Sequence, residues 1–143
     1  MYIALDVETG GLELDTTLLT AYFAVYDENF NLIDDEYLYL KPDAPKGKRP
    51  KYILTAEGMD VNGIELVRHD SQAISLKEGG QKLYQLISKY GSKGNLLVPL
   101  GHNVYFDIEG ITKRGLIGKG TWETFCSYRV VDTASIGRFL IEA

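Results

Sequence analysis

The chain is poor in cysteine, histidine, proline and net positive charge, and each shortage excludes something. Cys126 is the single cysteine among 143 residues, so no intrachain disulfide can form. With only two histidines beside it, one chain cannot assemble a zinc site from the usual ligands. No run approaches the roughly 20 consecutive apolar residues that span a bilayer. Asp6 and Glu8 interrupt the first apolar run, so no charged-then-apolar leader is legible, and a cytoplasmic location is the default expectation, with no membrane partner. The net charge of −5 argues against a protein that grips nucleic acid by bulk charge. It leaves room for acidic residues that recruit cations. Of the four prolines, Pro42, Pro45 and Pro50 fall beside Lys46, Lys48, Arg49 and Lys51. That segment reads as a loop, either simply solvated or a phosphate-contacting flap.

What is present has the periodicity of a folded α/β domain. Tyr2 to Val7 reads as a short buried strand, broken by Thr9-Gly10-Gly11. Leu18 to Tyr26 and Leu32 to Leu40, separated by the Asp27-Glu28-Asn29 turn, read as two more strands of an antiparallel meander. Leu54 to Val67 is irregular, with a short helix expected around Ala56 to Met59. His69 follows in a segment with no clear period and is expected at the surface. Ser75-Leu76-Lys77-Glu78 has capping-box spacing; Leu83, Leu86, Ile87 and Tyr90 then recur at helical spacing to Gly91. Gly79 and Gly80 weaken the first turns of that helix. Leu96 to Leu100 reads as a buried strand, followed by a helix capped by Asn103, with Ile108 and Ile111 on its apolar side and Gly115 at its end. Tyr128 to Asp132 is expected as the last strand. Asp132 then caps a helix with Ile136, Phe139, Leu140 and Ala143 on one face. Cys126 is expected to be buried. This order predicts one domain over residues 1–143, with a mixed five-stranded sheet.

The chemistry concentrates in carboxylates. Asp6 and Glu8 stand two apart on a strand and therefore leave it on the same face. Side by side they repel, and hard divalent cations relieve such a pair while keeping positions open for phosphate. Asp107, far along the chain, is a third carboxylate suited to the same site. Glu109, two residues on along a helix, points elsewhere.

Ala4-Leu5-Asp6-Val7-Glu8-Thr9-Gly10-Gly11-Leu12 resembles the first motif of the DEDD 3′–5′ exonucleases, the DnaQ-like, DEDDh-type branch of the ribonuclease H-like superfamily. Gly101-His102-Asn103-Val104-Tyr105-Phe106-Asp107 is similar to their second motif. Val61-Asn62-Gly63-Ile64 resembles the segment that walls the terminal nucleotide, and Arg129 to Arg138 the step before the third motif. The resemblance implies a three-layer ribonuclease H-like α/β fold and a metal-dependent hydrolase. Such an enzyme releases nucleoside monophosphates from single-stranded or frayed DNA or RNA 3′ ends. It further implies two Mg²⁺ or Mn²⁺ ions held by Asp6, Glu8 and Asp107, with Glu8 bridging or orienting. Around the 3′-terminal nucleotide it places Thr9, Gly10, Gly11, Leu12, Asn62, Asn103 and Phe106. His102 is expected to support the site rather than act as base. The family's further His-x-x-x-x-Asp or Tyr-x-x-x-Asp motif has no counterpart before Ala143, so a domain lacking its C-terminal helices is expected. A catalytically weak module that binds a nucleic-acid end or a DNA polymerase is the alternative.

Overall fold

The computed structural model describes residues 1–142; Ala143 and the side chains of Phe139, Ile141 and Glu142 lie outside the described residues, and with them part of the apolar face expected for the last helix. Six strands form one sheet in the order β4-β3-β2-β1-β5-β6. β1 (Tyr2–Thr9), β2 (Leu18–Tyr26) and β3 (Leu32–Lys41) make the expected antiparallel meander. β5 (Val98–Gly101) runs parallel to β1, and β6 (Val131–Asp132) parallel to β5. The α/β class and mixed sheet are as expected; the strand count is not. The additional strand is β4 (Ile74–Ser75), which pairs parallel with Leu40 and Lys41 at the sheet edge. Two residues are too few to show a strand period.

Six helices join these strands. α1 (Ala56–Asn62) and α2 (Leu66–Gln72) follow β3, α3 (Leu76–Tyr90) follows β4, and α4 (Val104–Lys113) and α5 (Lys119–Phe125) follow β5. α6 (Thr133–Glu142) follows β6. Strand alternation sets the core. Ile3, Leu5 and Val7 of β1 are buried with Phe23, Val25, Leu38 and Leu40 against Leu83, Leu86 and Ile87 of α3 and Val104 and Ile111 of α4. Cys126 is buried in the same cluster, as expected. Trp122 of α5, a helix not legible in the sequence, completes it.

Several local expectations are corrected. The last strand is only Val131–Asp132, because Tyr128 and Arg129 turn out to solvent with the guanidinium over the phenol ring. His69 is not at the surface. α2 carries it inward, where it is 3% exposed; its Nε2 lies 2.7 Å from the Leu40 carbonyl and its ring is edge-on to Tyr39 and Tyr52. The glycines that weaken α3 are required by packing. A Cβ on Gly80 would lie 2.3 Å from the Leu116 carbonyl oxygen, and one on Gly79 2.4 Å from Leu40. The Ser75 cap holds: its hydroxyl accepts from the Glu78 amide at 3.1 Å.

Candidate functional site

The sheet opens at the carboxyl end of β1. Its last paired position with β5 is Ala4↔Leu100, yet β1 continues to Thr9. Beyond Gly101 the β5 chain turns away into α4. A crevice at the carboxyl ends of parallel strands is the usual ligand position in open α/β sheets. Asp6 and Glu8 stand beside it. Both leave β1 on the face opposite the buried Ile3, Leu5 and Val7; Asp6 is exposed and Glu8 half-buried.

Asp107 reaches the same place from α4. Val104, Asp107, Gly110 and Ile111 share the buried side of that helix, as expected for positions three and four apart. Gly110 is close enough to β1 that a Cβ there would lie 3.5 Å from Val7. This packing leaves Asp107 6% exposed. Burial, and next the negative charge of Asp6, push its carboxyl up to about 7; the Val7 backbone offsets part of this and Glu8 adds to it. Glu8 is raised as well, by burial and then by Asp6. None of the ion pairs among the described residues includes any of the three carboxylates.

Carboxylates raised by burial and by a neighbouring carboxylate are the donor chemistry of a hard divalent cation. They are within electrostatic reach but not gathered in one coordination sphere. Among the described residues, no three His, Cys, Asp or Glu side chains lie close enough together to share a metal ion. The donor types therefore fit the implied ions, with Asp6, Glu8 and Asp107 the residues that would hold them.

Next to Glu8 runs a groove of about 380 Å³, lined by Thr9, Gly11, Leu12, Thr55, Val61 and Phe106 among others. Leu12, Val61 and Phe106 are exposed by 81%, 87% and 39%. Apolar side chains left bare beside carboxylates offer contact to a flat, uncharged group next to an anionic one.

The remaining expected residues divide. Asn62 does not offer its side chain to a ligand: Nδ2 donates to the Thr9 carbonyl at 3.0 Å and Oδ1 accepts from the Ile64 amide at 2.9 Å, tying the end of α1 to β1. Gly10 and Gly11 are both buried, and the close approach they permit is to the protein itself. A Cβ on Gly10 would sit 2.6 Å from the Ile53 carbonyl, and one on Gly11 2.9 Å from the Thr55 hydroxyl. Asn103 starts α4 but makes no side-chain cap; it adopts a left-handed φ of 57°, which asparagine tolerates. Its amide donates to Asp132 Oδ1 at 2.8 Å. Asp132 also accepts from the Ala134 amide at 3.0 Å, so one carboxylate caps α6, as expected, and fixes the β5–α4 turn. His102 Nδ1 lies 3.2 Å from the Thr133 hydroxyl at that junction. Glu109 pairs with Lys113 on the outer side of α4.

Two positioning residues were not legible in the sequence. Thr55 caps α1, accepting from the Gly58 amide, while its amide and hydroxyl both donate to the Gly10 carbonyl, at 2.7 and 3.0 Å. Arg114, just past α4, holds the loop after β1: Nε donates to the Thr16 carbonyl at 2.9 Å, and Nη2 to the carbonyls of Glu13 at 2.9 Å and Gly11 at 3.3 Å. Thr55 had a cap-like spacing to Glu57 and Gly58 as a signal; Arg114 had none.

No family model matches the chain, and no curated protein matches it in sequence. Its fold does match solved structures. E. coli exonuclease I in complex with a dT13 oligonucleotide superposes with a TM-score of 0.73 at 18% identity, covering 98% of this chain and 29% of that one. The ExoI/SSB-Ct complex gives a TM-score of 0.73 at 18% identity, with 98% and 30% coverage. Apo exonuclease I gives the same values. The chain thus has the ribonuclease H-like fold of the matched part of exonuclease I and spans about 30% of the length of these exonuclease I chains.

Proposed function

We propose that the chain is a metal-dependent 3′–5′ exonuclease domain that releases nucleoside monophosphates from single-stranded DNA or RNA 3′ ends. The observation that carries this reading is that burial, and next the charge of Asp6, raise both Asp107 and Glu8 at the carboxyl end of β1, next to an apolar groove. Asp6, Glu8 and Asp107 would hold two Mg²⁺ or Mn²⁺ ions, which when bound supply an acidified water and neutralise charge on the phosphoryl and leaving oxygens. Leu12, Val61 and Phe106 would contact the terminal base and sugar, placing the last phosphodiester against the carboxylates. Asn62, Thr55 and Arg114 hold the groove walls. Apolar contact carries no base code, so cleavage should show little sequence preference.

The test is a 5′-labelled single-stranded oligonucleotide with Mn²⁺, comparing the protein with its Asp6→Asn/Glu8→Gln variant. A ladder shortening from the 3′ end, reduced by at least about 10²-fold in the variant, is expected, the scale set by removing groups that stabilise transition-state charge. A module that binds 3′ ends without efficient cleavage is the second reading. It is favoured by the absence, among the described residues, of a three-ligand cluster close enough to share an ion. That reading would show no ladder, with Mn²⁺ binding still lost in the variant. Equal cleavage by both proteins would sink the assignment.

A further inference from the structure

The loop held by Arg114 has a second side. There, a cavity of about 270 Å³ is lined by Lys41 at the end of β3, Lys51 in the following loop, Lys113 and Arg114, with Asp15 as its one carboxylate-bearing residue. Lys113 turns its ammonium to Glu109. Among the described residues, no ion pair includes Lys41, Lys51 or Arg114. Arg114 also keeps Nη1 buried without a hydrogen-bond partner.

This concentration of charge runs against the rest of the chain. Residues 41–51 carry Lys41, Lys46, Lys48, Arg49 and Lys51 against Asp43 alone, in a protein of net charge −5. The Asp43 carboxylate is turned away, accepting from the Lys77 amide at the start of α3 at 3.1 Å. The segment is pinned at its other end. Thr17 donates its amide to the Ile53 carbonyl at 2.9 Å, and Thr17 Oγ1 accepts from the Ile53 amide at 2.8 Å. The cations are therefore presented on a tethered frame. None of the ion pairs among the described residues joins these cations to Asp6, Glu8 or Asp107.

We infer that this cavity binds a backbone phosphate of a single-stranded nucleic acid whose 3′ end occupies the Glu8–Phe106 groove. Leu12 and Glu13 line the groove, whereas Leu14 to Leu18 line the cavity, so one short loop separates the two. A strand leaving the groove over that loop meets Lys41 and Lys51 next. Ammonium contacts to phosphate position a strand without reading its sequence. The direction of the strand rests on the exonuclease reading; anion binding in the cavity does not.

The experiment is fluorescence anisotropy of a labelled oligothymidylate against the protein in chelator, where no cleavage occurs, across a salt series. Lys41→Gln/Lys51→Gln should weaken binding several-fold at low salt. It should also flatten the dependence of log affinity on log salt by about 0.7, the slope of one single-strand phosphate contact. Lys41→Arg/Lys51→Arg should keep both affinity and slope, which a merely unfolded glutamine variant could not mimic alongside an unchanged circular dichroism spectrum. Unchanged binding in the glutamine variant, or no salt-dependent binding by the parent protein, overturns the inference. Cleavage by the parent and its loss in Asp6→Asn/Glu8→Gln is read separately, so the nuclease reading can fail while the phosphate site stands, and the reverse.

Discussion

Asp107 is where a single side chain bears most on function. A carboxyl held at about 7 in the fold, against an ordinary value near 3.9 when unfolded, binds its proton more tightly in the native state. Its ionisation therefore opposes folding. The destabilisation is absent below the unfolded value, grows as pH rises through that window, and is complete above about 7. The full shift corresponds to about 4 kcal/mol at roughly 1.4 kcal/mol per factor of ten in acidity. Local relaxation and water reduce it, so Asp107→Asn should stabilise the metal-free protein by about 2 kcal/mol at pH 8 and by almost nothing at pH 4. Urea melts in chelator at the two pH values check this; an equal effect at both would show that packing, not charge, governs the position. The sequence marks Asp107 as a carboxylate of interest. Its acidity comes first from burial against β1 and then from Asp6, about a hundred positions away, and could not be read there.

At the scale of the element, α1 is informative because two rules conflict in it. Gly58 sits inside a helix, where alanine is better by about 1 kcal/mol on propensity alone. Yet a Cβ there would fall 2.3 Å from the Gly10 carbonyl oxygen and 2.9 Å from Gly11 Cα. Backbone cannot yield as a flexible side chain can, and overpacking costs about 1–3 kcal/mol. Packing should win, so Gly58→Ala is expected to destabilise by about 1–2 kcal/mol and to disturb the groove next to Glu8. A chemical-denaturation midpoint that rises instead would show that α1 moves freely on the β1 loop. The strands of the meander and α3 were legible because their periods are long and clean. α2 and α5, seven residues each, were not, since two turns of helix give too little period to separate from a loop.

For the whole molecule, one apolar cluster joins β1, β2, β3, α3, α4 and α5. A contiguous core predicts a single cooperative unit. Far-UV circular dichroism, Trp122 fluorescence and reaction of the Cys126 thiol, 1% exposed, should report coincident urea transitions. Thiol reactivity that precedes loss of helix signal would place α5 in a separately opening unit. No described helix is long and apolar enough to cross a membrane.

The amino-acid sequence alone determined the in–out alternation of β1, which buries Ile3, Leu5 and Val7 and sends Asp6 and Glu8 to one face. It determined the meander, the capped start of α3 and the acidic character of the site, because each follows from neighbours within a few residues. Tertiary structure decided the rest: that His69 is buried, that Gly10, Gly11 and Gly80 serve packing, that Asn62 is engaged with β1, and that Arg114 holds the loop dividing a carboxylate groove from a basic cavity. The Arg114 Nε bond to the Thr16 carbonyl joins positions 98 residues apart. Such contacts exist only after the sheet has brought distant segments together, and no local pattern encodes them.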